Sequence, residues 1–201
     1  MAVDVVSHLS SLRSGLAERF DAEGRAGGVL AAQRLRESLN APYRPTAATH
    51  DPGPLLSAAC ALPDALPLSS HVLGCRSLLQ WSLWEGEGLD RNISSSLFST
   101  ELVGPDGHFA GDDVRVGLLL SDAGTDYPRS SHSGEETYLV LAGTAEWTVG
   151  DEPYTAKPPG ALVHHPAWAV HGRRTLGEPF LGAWRWSGDL DLSSFSVAEP
   201  G

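Results

Sequence analysis

The stretch His132-Ser-Gly-Glu-Glu136-Thr-Tyr138-Leu-Val-Leu-Ala-Gly143 decides how the rest of this sequence is interpreted. Together with His171 downstream, it predicts a metal site. Two imidazoles and a carboxylate, from His132, His171 and Glu136, are donors of the kind that transition metals bind in proteins. The phenol of Tyr138 stands two residues beyond Glu136, so on an extended strand both side chains face the same side. Four candidate ligands are therefore expected on one face.

The sequence changes character near residue 95. Before it, the apolar residues Val5, Leu9, Leu12, Leu16 and Phe20 recur at three- and four-residue steps, which predicts an amphipathic helix. Further helices are expected over residues 27–39, 55–62 and 69–84, with a proline-containing connector over 40–54. Residues 1–95 are thus expected to form a helical region.

Beyond residue 95, short β-type runs alternate with turn signals. Strands are expected over 98–103, 114–120, 136–141, 145–149, 161–164, 168–171 and 180–186. Gly143 is expected to take positive φ in a hairpin turn between 136–141 and 145–149. Many short strands at such spacing favour a barrel or jelly roll. The predicted fold is mainly β: a barrel over 96–201 that carries the metal site, with the helical region packed on it.

Composition excludes several classes of function. The net charge is −11, with 14 basic against 25 acidic residues, which argues against a nucleic-acid partner. No apolar run approaches the length of a membrane span, and residues 1–12 lack the basic start of a secretory signal, so a cytoplasmic protein with no membrane partner is expected. Cys60 and Cys75 are not in a metal or redox spacing and are interpreted as buried thiols. A monomer or homodimer is expected.

The spacing H-x3-E-x6-G, followed by Pro159-Gly160 and later His171, resembles the two short motifs of the cupin family of small β-barrels. Cupins usually begin the first motif with H-x-H, and the first of those two positions is Ser130 here. The usual set of three histidines and one glutamate is therefore incomplete. Tyr138 is a candidate for the remaining position, because a phenol near a dication ionises more easily.

A narrower resemblance involves the aromatic residues. Tyr127, five residues before His132, and a tryptophan-rich last strand make residues 126–186 resemble the cupin dimethylsulfoniopropionate lyases of the DddQ type. This resemblance implies a metal-dependent carbon–sulfur lyase that splits a small zwitterionic substrate, dimethylsulfoniopropionate, into acrylate and dimethyl sulfide. It implies one divalent transition metal ion, zinc, iron or manganese, held by His132, Glu136, Tyr138 and His171.

Roles within the site follow from chemistry. Tyr138 is the preferred base for proton removal, and Tyr127 is the alternative base or a substrate-binding phenol. Trp184 and Trp186 share one face of a strand, where they either pack in the core or stack against a sulfonium cation. Of the neighbouring pair His164 and His165, alternation turns one inward, and His164 is taken as a candidate pocket residue.

Two alternatives stay open at this point. The same metal could serve a cupin dioxygenase or isomerase that acts on another small carboxylate. A non-catalytic cupin that binds a small ligand is also consistent with the motifs. Ser130 in place of a histidine counts against the first alternative, because oxygen chemistry in this family often relies on a fuller set of histidines.

Overall fold

The computed structural model describes residues 4–46, 50–85 and 89–198. The helices are α1 (Val5–Asp21), α2 (Ala26–Ser38), α3 (Gly53–Cys60), α4 (Pro67–Gly74) and α5 (Arg91–Ser94), with 3-10 turns at Arg76–Leu78 and Leu192–Ser194. The side chain of Asp4 caps α1 by accepting a hydrogen bond from the backbone N–H of Val6. In the part of the chain so described, no helix is both long and apolar enough to cross a bilayer.

The strands form two facing sheets. They are β1 (Ser82–Leu83), β2 (Leu97–Gly104), β3 (Phe109–Ala110), β4 (Val114–Ser121), β5 (Asp126–Ser131), β6 (Glu135–Ala142), β7 (Ala145–Val149), β8 (Thr155–Lys157), β9 (Leu162–His165), β10 (His171–Thr175), β11 (Phe180–Ser187) and β12 (Ser196–Val197). The larger sheet has the order β1-β2-β4-β11-β6-β9, with β3 beside β2. The smaller sheet has the order β12-β5-β10-β7-β8. The predicted class, mainly β with helices ahead of it, is confirmed.

The larger sheet is covered on both faces. Its outer face, which includes Leu118, Leu139 and Leu181, shares one hydrophobic core with Leu16 and Phe20 of α1. Its inner face packs towards the smaller sheet in a second cluster that is rich in aromatic residues. Every residue of β4 and β11 is consequently buried, as expected for strands with apolar layers on both sides.

A buried ion pair joins the helices to this sheet. Arg185 of β11 is fully buried, and its Nε donates a hydrogen bond to Glu23 Oε2 at 3.0 Å. Its Nη1 lies 2.8 Å from Glu135 Oε1. Because Glu23 lies between α1 and α2, this contact fixes the helical region against the sheet next to the site described below.

The prediction of a helix over 69–84 is wrong beyond Gly74. The 3-10 turn follows, and Trp81 then pairs with His50 in an isolated bridge before β1 joins the larger sheet. The physical reason is the period of burial: Leu79 and Trp81 are buried while Gln80 between them is partly exposed, which is the alternation of extended chain.

Two predictions about the strands are also corrected. Gly143 does take positive φ, at 75°, but β6 and β7 do not form a hairpin, because they belong to different sheets and the turn carries the chain between them. Residues 168–170 are not a strand. Trp168 has φ of 63°, which ends extended structure there, and β10 begins only at His171.

Candidate metal centre

Strand register brings the inner residues of three strands together. Glu136 of β6 lies opposite Trp186 of β11 on one side and opposite His165 of β9 on the other. Tyr138, two residues further, lies opposite Trp184. Because side chains alternate along a strand, all five point to the same face, which is the face towards the smaller sheet.

Three of the predicted ligands converge. His132 Nε2 lies 3.4 Å from Glu136 Oε2, and His171 Nε2 lies 3.8 Å from the same oxygen. The ligand atoms of the three residues all lie within 4.8 Å of one another, and all three side chains are buried. A tetrahedral zinc site with bonds of about 2.0–2.1 Å has ligand-to-ligand edges of about 3.3–3.4 Å. The spacing is therefore close to that of three corners of one coordination polyhedron.

Neighbouring hydrogen bonds orient these ligands. His132 Nδ1 lies 3.0 Å from the carbonyl of Gly134, and His171 Nδ1 lies 2.8 Å from the carbonyl of Ala169. Since a carbonyl can only accept, each Nδ1 is assigned a proton, and each Nε2 faces the centre, where it binds a cation, either a proton or a metal ion. Two imidazole nitrogens and a carboxylate that face one another in a buried site are donors that a cation between them satisfies. The residues present thus fit a divalent transition metal.

Trp186 supports the same centre from β11. Its indole Nε1 donates a 2.7 Å hydrogen bond to Glu136 Oε1, the carboxylate oxygen that the histidines leave free. Its ring stacks on that of His132, with centroids 4.0 Å apart. Trp186 therefore fixes both a carboxylate and an imidazole of the centre.

Electrostatics favour the metal-binding forms of these groups. Burial would raise the pKa of Glu136, but hydrogen bonds with His132 and His165 outweigh it and hold that pKa well below its usual range. Burial, together with the neighbouring His165 ring, lowers the pKa of His171 to about 3. At neutral pH, Glu136 is therefore a carboxylate and His171 a neutral imidazole, the forms in which both bind metals.

The two candidate tyrosines line the same cavity. Burial, and next the charge of Glu136, raise the pKa of Tyr138 well above its usual value. Burial also raises the pKa of Tyr127, whose hydroxyl accepts a 3.0 Å hydrogen bond from the indole of Trp84. Both groups are thus neutral phenols unless a cation stabilises the ionised form.

The histidine pair on β9 divides between two environments. The structure does not bring His164, which we expected at the pocket, to the cavity, because its ring lies on the opposite face beside Thr137 and Glu23. His165 is the inward member, fully buried, with Nδ1 3.0 Å from Glu136 Oε2. Its Nε2 has no hydrogen-bond partner among the residues described. The inward register of β9 was the detail that sequence reasoning left undecided.

The centre lies in a cavity of about 260 Å³ between the sheets. This volume is slightly below the range of about 300–1,000 Å³ that is typical of pockets for drug-sized molecules, so it suits a smaller ligand. Besides the predicted residues, the lining includes Trp84, Leu119, Trp147, Arg173 and Phe195. Arg173 was missed, although it stands two residues after His171 and alternation alone places both on one face.

Ser130 occupies the position where cupins usually carry their first histidine. It is fully buried and lies opposite His171 in the β5–β10 register. Its hydroxyl oxygen has no hydrogen-bond partner within the described ranges. The position thus faces the centre but supplies no imidazole to it.

A second acidic cluster lies outside the cavity. Glu23, Glu135 and His164 have side-chain atoms within 4.8 Å of one another. Arg185 already neutralises both carboxylates in the ion pairs described above. This cluster is therefore a partly buried ion-pair network between helices and sheet.

Comparisons with known proteins identify the family. A family model for dimethylsulfoniopropionate lyases matches residues 68–182. Dimethylsulfoniopropionate lyase DddQ from Ruegeria pomeroyi is 32% identical over 144 residues, which cover 71% of this chain and 69% of that protein. The crystal structure of DddQ from Ruegeria pomeroyi DSS-3 superposes with a TM-score of 0.67 at 25% identity, covering 91% of this chain and 96% of the other.

A second solved structure extends the likeness of fold to almost the whole chain. One of the crystal structures of the dimethylsulfoniopropionate lyases RdDddP and RnDddQII has a TM-score of 0.74 at 22% identity, covering 99% of this chain and 100% of the other. The family match and the identity to DddQ together establish the family. The chain belongs to the dimethylsulfoniopropionate lyase family and is a carbon–sulfur lyase.

Proposed function

We propose that this protein cleaves dimethylsulfoniopropionate by β-elimination, giving acrylate and dimethyl sulfide with the help of one divalent metal ion. The observation that carries the proposal is the convergence of His132, Glu136 and His171 at a cavity that two tyrosines also line. Zinc, iron and manganese all accept this set of nitrogen and oxygen donors. Tyr138 is the proposed fourth ligand.

A bound metal would act as a Lewis acid towards the substrate carboxylate, which makes the adjacent C–H bond more acidic. The protein's own task is then to remove that proton. We assign this role to Tyr138 in its phenolate form, which a bound metal would stabilise although burial and Glu136 raise the pKa of the free phenol. Tyr127 is the alternative base or a hydrogen-bonding partner. Departure of neutral dimethyl sulfide completes the elimination without a nucleotide or redox cofactor.

The aromatic wall is the proposed site for the sulfonium group. Trp184 and Trp186 line the cavity from β11, and Trp84 contributes from beside β1. A cation placed over an indole face is attracted by the ring quadrupole, by about 2 kcal/mol when water is excluded. With the sulfonium held there, the carboxylate end of the substrate would point towards the metal centre.

The direct test is release of dimethyl sulfide into the headspace over purified, metal-loaded protein, with and without a chelator. We expect release that stops on metal removal and returns on metal addition. No sulfide from metal-loaded protein would exclude the proposed reaction. A dioxygenase would instead consume oxygen with its own substrate, and a binding module would bind the compound unchanged.

Two substitutions separate metal binding from proton transfer. His132→Ala should lose both the bound metal and turnover, because it removes one of the four proposed protein ligands. Tyr138→Phe should keep much of the metal and lose turnover. Full activity in Tyr138→Phe would move the base to another residue, with Tyr127→Phe as the next variant to measure.

A further inference from the structure

Arg173 is a buried cation inside the cavity that no carboxylate neutralises by direct contact. It is 4% exposed, and no acidic group of the described chain forms an ion pair with it. Nη2 lies 3.4 Å from the hydroxyl oxygen of Ser121, and Nε has no hydrogen-bond partner within the described ranges. Its guanidinium carbon otherwise lies 4.7–5.9 Å from the ring centroids of Tyr127, Tyr138, Trp147 and Phe180.

Two other buried arginines have carboxylate partners. Arg115 lies 2.7 Å from Glu101 and 2.9 Å from Asp106, and Arg185 pairs with Glu23 and Glu135.

Arg13, the remaining buried arginine in the described chain, donates to the backbone carbonyls of Leu9 and Ser38. Burying a charge without a hydrogen-bonded partner costs several kcal/mol. The polar side-chain contacts of Arg173 within the described chain are with the neutral hydroxyls of Ser121 and Tyr138, so an anionic partner is missing there.

The position of Arg173 indicates what that partner is. It follows His171 by two residues on β10 and lines the same cavity as Glu136. A guanidinium presents parallel N–H donors that match the two oxygens of a carboxylate. Burial also lowers the pKa of Arg173, but an arginine stays charged at neutral pH, so its need for an anion does not depend on titration.

We infer that Arg173 is a carboxylate-recognition residue, which binds the acid group of a small zwitterionic substrate beside the metal ligands and so fixes its direction in the cavity. The identity of the substrate rests on the proposed function, whereas recognition of a carboxylate does not. A fixed cation at this end repels a sulfonium group, which must then lie towards Trp184 and Trp186. Glu136 and Arg173 cancel in charge, so the bound carboxylate also offsets positive charge that a metal brings.

The test measures binding of propionate and of its uncharged amide, propionamide, to the metal-free protein by isothermal titration calorimetry. In the wild type, propionate should bind at least about 10-fold more tightly than propionamide, as expected for charge-assisted hydrogen bonds. Arg173→Gln should remove this preference. Arg173→Lys should weaken the binding of propionate by about 3- to 10-fold, because lysine keeps the charge but loses the paired donors.

Arg174→Gln is the matched control. Arg174 is the next residue of the same strand, but it faces outward and pairs with Glu146 at 2.6 Å. Its removal should leave the preference for propionate unchanged. Equal propionate affinity in the wild type and in Arg173→Gln would overturn the inference. If the melting temperature of Arg173→Gln were also lower, Arg173 would have a structural role only.

Two further readouts keep the inference decidable. If Arg173→Gln does not fold, the wild type decides by itself, because a preference for propionate below twofold contradicts an anion site. With dimethylsulfoniopropionate, Arg173→Lys should raise KM more than it lowers kcat while metal content stays at the wild-type level. A wild type that binds propionate through Arg173 but releases no dimethyl sulfide would refute the proposed reaction and leave this inference standing.

Discussion

Trp186→Phe should weaken metal binding although Trp186 is not a ligand. The substitution keeps an aromatic ring over His132, where the indole now stacks at 4.0 Å, but it removes the 2.7 Å hydrogen bond to Glu136 Oε1. A hydrogen bond to a charged group contributes about 1.5–3 kcal/mol, and loss of a partner behind a ligand typically costs about 10- to 100-fold in metal affinity. We therefore expect the metal dissociation constant to rise by about 10- to 100-fold.

The assay is a competition titration of zinc between the protein and a chromophoric chelator at fixed pH. Trp184→Phe is the matched control, because Trp184 lies on the same face of β11 but opposite Tyr138, and makes no hydrogen bond to Glu136 in the described structure. Its zinc affinity should change by less than about threefold. A change that small in Trp186→Phe would refute the reasoning, because the carboxylate would then be oriented by something other than the indole.

Three other predictions concern stability. In the metal-free protein, burial lowers the pKa of His171 from an ordinary 6.5 to about 3, so on acidification the unfolded chain takes up a proton before the folded chain does. The free energy of unfolding, measured by urea denaturation, should therefore fall by up to about 1.4 kcal/mol per pH unit below pH 6.5. A flat profile from pH 7.5 to 5.5 would contradict this. Gly117→Ala should lower the free energy of unfolding by about 1–3 kcal/mol and reshape the cavity, because a Cβ there collides with the ring of Trp184 and with a neighbouring backbone carbonyl. An unchanged urea denaturation curve would argue against this. Glu23→Gln should lower the free energy of unfolding by about 1–3 kcal/mol, less than for a fully unpaired charge because Arg185 keeps one acidic partner, and an unchanged value would show that the pair is energetically neutral.

Local periodicity was sufficient for most elements of the fold. The three-to-four spacing of apolar residues predicted α1, and the strands over 114–120, 136–141 and 180–186 lie within β4, β6 and β11. Pairing was not predictable in the same way. Whether the turn at Gly143 closes a hairpin or carries the chain to another sheet depends on which faces are covered, and that is a property of the whole domain.

The metal ligands of the candidate site were predictable from the sequence, whereas two other cavity residues were not. His132, Glu136 and His171 carry their signal in residue type and spacing, and the structure brings them together. The sequence could not decide whether His164 or His165 faces inward, because alternation turns one of two adjacent residues inward without saying which. Arg173 was missed for another reason: alternation places it on the face of His171, but arginine is usually a surface residue, so its burial in the cavity was not expected.

The central place of β11 in the larger sheet affects how the chain can fold. This strand, residues 180–187, lies between β4 and β6, so without it the sheet falls into two halves that share no strand pairing. It also supplies Arg185, whose contact with Glu23 spans 162 residues of sequence. The surface on which the helices dock is therefore complete only after this distant strand has paired, and contacts of such long sequence separation form slowly.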